Sequence, residues 1–350
     1  MPVSAAIILF AAPALGPAVG GLLISATGWR GVFLINVPIG IGALAAVFAG
    51  RRAVPGGAGD RGARLDVPGL LVLGAGLGLA TYGASQGPAH GWLSAASAPA
   101  WAGGLVLVTA YVLRERAMPR DGEAPRDGTA GRRRPPAAVS LGPLRTPARA
   151  LTLALACVTS VVLFSVLFLA PVFLQQIQHR STTVTGLVLL PQGVVMGLAS
   201  WLGSEIIKRG QARPALITAS VSGGLALLAA STLGLLWLTP STPAWATTAL
   251  LCGRGVALGL TVQPLVMAFL AGLRPSRMPD ANTLFNMAER LSGSFGIALL
   301  ATLYASRAAL SGSAVTAFRD CAIVLTGAAA AGALAALALP WRRGPVVAHP

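Results

Sequence analysis

Residues 150–173 read ALTLALACVTSVVLFSVLFLAPVF, an unbroken stretch without a charged side chain. A helix needs about 20 apolar residues to cross the roughly 30 Å hydrocarbon core of a bilayer. No water reaches the backbone there, so its amides and carbonyls must pair inside the segment, as a helix allows. The stretch does not alternate apolar with polar positions, which argues against a strand of a membrane barrel. Outward from it, comparable windows recur at 3–24, 32–50, 66–86, 100–114, 184–206, 214–237, 245–271, 282–305 and 317–340. The window at 100–114 is short unless it begins nearer Ser97. The pattern predicts an all-α polytopic membrane protein with about ten transmembrane helices. No Lys or Arg precedes the first window, and Pro13, Gly16, Pro17, Gly20 and Gly21 crowd it. It is read as a span, the alternative being a signal peptide.

Composition points the same way. The 350 residues are 55% hydrophobic and 10% charged, with a mean hydropathy of +0.73. Soluble domains carry about 25% charged residues, so a chain this poor in charge is expected to take lipid as its solvent. A net charge of +16 would suit phosphate neutralisation. The arginines instead form short clusters between apolar runs, as in Arg51-Arg52, Arg132-Arg133-Arg134 and Arg342-Arg343. The expected partner is therefore the lipid bilayer, with no nucleic acid.

Alternate connections divide the basic residues 20 to 4. The rich set holds Arg51 to Arg64, Arg114 to Arg149, Lys208 to Arg213, Arg274 with Arg277, and Arg342 with Arg343; the poor set holds Arg30, Arg180, Arg307 and Arg319. Basic loops stay cytoplasmic, so both chain termini are expected on the cytoplasmic side of the cell membrane. Residues 115–149 are rich in Pro, Gly and Arg with almost no bulky apolar side chain. They are read as a solvated cytoplasmic linker, whose arginine cluster could alternatively touch anionic lipid.

Catalytic chemistry finds little support. Cys157, Cys252 and Cys321 fall inside apolar runs, and His90, His179 and His349 are isolated from one another. Neither set has metal or redox spacing. No Gly-rich phosphate loop or nucleophile set appears. No catalytic residue, cofactor or metal is expected.

The first window contains Gly16-Pro17-Ala18-Val19-Gly20-Gly21. Gly16 and Gly20 form a small-residue face for close helix approach, and Pro17 removes a backbone donor. The G-P-x-x-G-G core resembles the antiporter motif in the fifth span of drug exporters of the major facilitator superfamily. Gly28-Trp29-Arg30, Phe33 to Gly40, Asp66-Val67-Pro68-Gly69, Phe173-Leu174-Gln175, Leu190-Pro191 and Asn286 to Gly296 follow in order. Together they resemble the fourteen-span drug:proton antiporter branch. Gly203 to Arg213 is similar to the second-half cytoplasmic loop motif: Gly203, Lys208 and Gly210 match, Arg213 is displaced by one, and Ile207 replaces the acid. The plainer reading there is a helix end carrying a Glu205–Arg209 pair.

The resemblance implies a major facilitator superfamily-like fold with an incomplete N-terminal bundle. Residues 1–50 would be that bundle's remnant, 66–114 two extra central spans, 115–149 the linker, 150–340 a complete six-helix bundle and 341–350 a tail. It implies proton-coupled efflux of drugs or other amphipathic small molecules, the substrate and protons being the partners if the chain is transport-competent. With four spans missing, the chain by itself is not expected to carry out proton-coupled export. The competing class is a truncated, non-transporting membrane protein or a subunit needing a partner. Oligomeric state is not legible.

Charges inside the apolar windows mark candidate sites, because they are expensive in lipid. Arg254, flanked by Gly253, Gly255 and Gly259, is read as a cavity or ion-pair group, with snorkelling as the alternative. Asn282, Asn286 and Arg290 share a helix face continued by Gly293, while Glu289 points elsewhere. The functional reading is a polar stripe on a transport cavity; the other is a charged helix end at the interface. Asp66 suits an N-cap.

Overall fold

A computed structural model describes residues 19–50, 66–95, 97–117, 142–209, 214–274 and 277–338. Its elements are helical: α1 (19–27), α2 (Trp29–Leu34), α3 (Asn36–Gly50), α4 (Val67–His90), α5 (Ala98–Ala117), α6 (Pro147–Val172), α7 (Thr182–Arg209), α8 (Pro214–Leu233), α9 (Ala244–Leu270), α10 (Met278–Ser311) and α11 (Ala314–Leu337). Eight described segments are long and apolar enough to cross a membrane, α2 and α3 counting together as Trp29–Ala49. The 20-residue α5 is not among them, since Arg114, Glu115 and Arg116 occupy its last turn. The first predicted window is described only from residue 19.

Helices α6 to α11 pack around one another. α6 sits centrally, and its inward positions Leu155, Ala156, Val162, Val166, Leu169 and Phe173 are buried at helical spacing. Two of its buried hydroxyls are satisfied locally, Thr152 donating to the Ala148 carbonyl and Thr159 to the Leu155 carbonyl, whereas the buried Ser165 hydroxyl has no partner. Pro171 supplies no amide hydrogen, and α6 widens just beyond it into a π-turn at Phe173–Ile177.

Close contacts use small residues four apart. A Cβ on Gly255 would lie 2.5 Å from the Gln192 carbonyl oxygen, and one on Gly259 would lie 2.6 Å from the Met196 oxygen. α7 therefore packs backbone-close on α9, which in lipid replaces the hydrophobic drive of soluble bundles. On the far side of α9, the Ser220 hydroxyl of α8 donates to the Leu260 carbonyl at 2.7 Å.

Two sets of hydrogen bonds define the ends of this bundle. Arg149, at the start of α6, donates to the Ala271 carbonyl beyond α9. At the other end, Gln178 donates to the Thr239 and Thr242 carbonyls in the α8–α9 connection.

α4 and α5 form a hairpin leaning on α10. Asp66 accepts from the Gly69 amide at 3.1 Å, capping α4, and pairs with both terminal guanidinium nitrogens of Arg114 at 2.9 Å. At the opposite end the Trp101 indole donates to the Trp92 carbonyl, and the Trp92 indole donates to the Thr302 hydroxyl of α10 at 3.0 Å. Asp66→Ala removes the cap and leaves Arg114 without this carboxylate. Thermal unfolding in detergent is expected to show a loss of about 1–3 kcal/mol, with Asp66→Asn losing less because it still caps.

α1 touches the start of α7, the Thr183 hydroxyl lying 3.4 Å from that of Ser25, while α2 and α3 stand apart. Within the Trp29–Ala49 segment Gly31 is the one buried position, and Trp29, Phe33, Leu34, Ile39, Ile41 and Phe48 are exposed.

Candidate transport site

Two polar groupings sit within the spans. The first lies on the seam of α6 and α10. Gly293 and Gly296 of α10 face Phe164 and Val161 of α6, so the two helices approach closely. Glu289, one turn before Gly293, is partly buried and lies beside the Ser160 hydroxyl of α6, itself 2% exposed. Cys157 lies one turn from Ser160, its thiol donating to the Ala288 carbonyl at 3.8 Å beside Ser292, whose hydroxyl donates to the Glu289 carbonyl. Arg290 points away from the seam and is exposed, with its guanidinium 5.7 Å from the centre of the Phe164 ring. That distance permits a cation–π contact.

The remaining stripe residues lie on the outside of α10. Asn282 and Asn286 are exposed, and the Asn286 amide donates to Asn282 at 2.8 Å (carbonyl) and 3.2 Å (side-chain oxygen). Gly293 does not extend this exposed face: it is buried against Phe164. With Leu77 of α4, residues Asn286, Met287, Arg290 and Leu291 line an open groove of about 280 Å³.

The second grouping is Arg254, which is fully buried among α6, α8 and α9. It donates to the Thr232 hydroxyl and to the Val162 carbonyl, each at 2.6 Å. Thr232 passes its own proton to the Leu228 carbonyl, so its hydroxyl is used on both sides. The Arg254 Nε has no partner, and among the described residues no carboxylate pairs with the guanidinium. Its guanidinium stays inside the bundle and does not reach the surface. Gly255 and Gly259 beside it receive α7, whereas Gly253 faces open space.

The remaining sequence candidates are dispersed. Gly21 allows α1 to meet the start of α7, since a Cβ there would lie 2.7 Å from the Thr182 carbonyl oxygen; Gly20 meets nothing. Gly16 and Pro17 lie outside the described residues, as do Gly210 and Arg213. Gly203 lies on α7 beside Leu260 in ordinary contact, and Lys208 lies in the last turn of α7. Asp66 is at the open end of the α4–α5 hairpin, opposite its turn, where it pairs with Arg114. Sequence reasoning missed Ser160, Cys157 and Phe164. Their signal was polar and aromatic positions three and four apart within the apolar 150–173 run.

No group of three or more His, Cys, Asp or Glu side chains able to hold a metal occurs among the described residues. The polar groups are instead single charges, hydroxyls and amides set among membrane-crossing helices. That construction defines a class, the multi-pass helical membrane protein with ionisable groups inside its bundle. The chain belongs to the Major Facilitator Superfamily, whose pattern it matches over residues 4–297. It is 31% identical over 301 residues to a multidrug resistance protein B homolog of Mycobacterium tuberculosis, covering 83% of this chain and 50% of that protein. It is 32% identical to a cephamycin export protein of Amycolatopsis lactamdurans, covering 84% and 56% respectively. A methylenomycin A resistance protein of Bacillus subtilis is 26% identical, with 84% and 58% covered. The chain thus spans about half the length of these relatives.

Proposed function

We propose that this protein takes part in exporting amphipathic small molecules, antibiotics and other drugs among them, across the cell membrane in exchange for protons. The observation that carries the reading is the α6–α10 seam. There a carboxylate, two hydroxyls and a thiol lie between closely packed helices, with a guanidinium on the adjoining exposed face. Charges at such depth are costly and mark ion or substrate pathways. The names of the relatives support export as the direction. Glu289 is the proton-carrying group in this reading: protonation removes its charge, and the Ser160 hydroxyl holds either form. Glu289→Gln keeps the shape and abolishes the charge change. It is expected to lower uncoupler-sensitive efflux by at least about tenfold while thermal stability stays within about 1 kcal/mol. Efflux of undiminished rate and gradient dependence would contradict the assignment.

The exposed α2–α3 segment favours a further element of the proposal. Helices α6 to α11 serve as one whole bundle, the α4–α5 hairpin rides on it, and α1 to α3 belong to a second bundle completed by helices from outside this sequence. Alternating access then rocks one bundle against the other around the seam. The basic ends of α5, α7 and α9 lie on the cytoplasmic side in this proposal, as the arginine distribution favours. Labelling of a cysteine in the 115–149 linker by an impermeant reagent outside intact cells would contradict that orientation.

A further inference from the structure

Arg290 is an exposed cation on α10 that makes no ion pair among the described residues. Its neighbour Glu289 is near enough to act on it through space, but the two form no ion pair, the Glu289 carboxylate being turned towards Ser160. Arg290 is the thirteenth residue of α10, roughly 18 Å along the helix at 1.5 Å per residue. Leu77, across the groove, is the eleventh of α4, roughly 15 Å along. The groove therefore opens within the hydrocarbon depth, where an unpaired guanidinium facing lipid is costly.

The rest of the groove is apolar: Leu77, Met287 and Leu291 form its walls, and Phe164 backs the guanidinium. The Asn286 amide is already spent on Asn282, so it supplies no donor that competes with Arg290. One fixed cation beside an apolar trough of about 280 Å³ complements a molecule with one anionic head and an apolar body. The α4 wall is held in place by the Trp92–Thr302 hydrogen bond. We propose that the α4–α10 groove binds amphipathic organic carboxylates, with Arg290 receiving the carboxylate. This rests on the export reading and narrows its substrate class.

Arg290 pairs with the carboxylate through its two-pronged donor edge, and the apolar body lies along Leu77, Met287 and Leu291. A neutral analogue of the same body keeps only the second contact.

The test uses the full 350-residue chain in nanodiscs of zwitterionic lipid, titrated with fluorescent dansylaminoundecanoic acid and, separately, with its uncharged primary amide. The acid is expected to bind at least about tenfold more tightly than the amide. Arg290→Gln should erase that difference, Arg290→Lys should keep most of it, and Leu77→Trp should weaken both ligands by filling the trough. Arg180→Gln, at an exposed loop arginine, should change nothing. Equal affinity for acid and amide, or an intact preference in Arg290→Gln, overturns the proposal. So does loss of acid binding when anionic phosphatidylglycerol is added, since the occupant would then be a lipid headgroup. Thermal unfolding of each variant separates misfolding from lost recognition. Binding is read without transport, so export could fail while this preference stands, and the preference could fail while export stands.

Discussion

Gly259→Leu is expected to pull α7 away from α9 and to cost about 3 kcal/mol or more, at the upper end for an overpacked contact. The reason is what the new side chain would meet. Even a Cβ at this position lies 2.6 Å from both the Ala199 Cβ and the Met196 carbonyl oxygen. Backbone cannot rotate aside as a flexible side chain can, so the helices must separate. Gly255→Leu should behave alike, its Cβ facing the Gln192 carbonyl at 2.5 Å. Gly253→Leu provides the contrast, because nothing lies within 4 Å of its Cβ. It should stay within about 0.5 kcal/mol of the parent protein. Thermal unfolding in detergent, together with disulfide crosslinking between cysteines placed on α7 and α9, reads both effects. Equal losses at Gly253 and Gly259 would show that the α7–α9 contact does not govern this stretch, since Gly→Leu raises helix propensity at both positions.

The second large effect concerns Arg254, where charge and shape separate. A buried cation without a described carboxylate adds little net stability, because desolvation offsets its two hydrogen bonds. Arg254→Met removes the charge, keeps an apolar stem and leaves no orphaned donor. It is expected to be neutral or to stabilise the bundle by up to about 2 kcal/mol. Arg254→Lys should be the damaging change. It keeps a buried charge but lacks the planar fork that reaches Thr232 and Val162 together, and should lose about 3 kcal/mol. Stability that is spared in the Met variant while export is lost would mark the guanidinium as retained for function. A loss of about 3 kcal/mol in the Met variant would identify a structural staple of α6, α8 and α9.

What the sequence makes legible follows from the range of each interaction. The spans are legible because lipid imposes a local rule, a minimum length of apolar residues, on every one of them. The Asp66 cap is legible because the amide that donates to it lies three residues away at Gly69. Its pairing with Arg114, 48 residues distant, is not, because many basic residues in the same stretch could serve. Arg254 and Glu289 stand out as charges inside apolar windows, yet their partners do not. Thr232, Ser160 and the Val162 carbonyl are ordinary groups, singled out only when α6, α8 and α10 pack together. The stripe shows the same limit. Asn282, Asn286 and Arg290 do share a face, but periodicity could not tell that Gly293 turns inward against Phe164, because that depends on where α6 lies.

Efflux measured with the remaining helices of the second bundle supplied as a separate polypeptide tests the central proposal most directly. An efflux-deficient host would express the 350-residue chain alone, or together with the four N-terminal spans of the cephamycin export protein, and extrusion of a fluorescent amphiphile would be followed. Extrusion that collapses with an uncoupler is expected only when both are present, and Glu289→Gln is expected to abolish it. Uncoupler-sensitive extrusion from the chain alone would contradict the need for a second bundle. Its absence from the co-expressing cells, with both polypeptides in the membrane, would contradict the transport function itself.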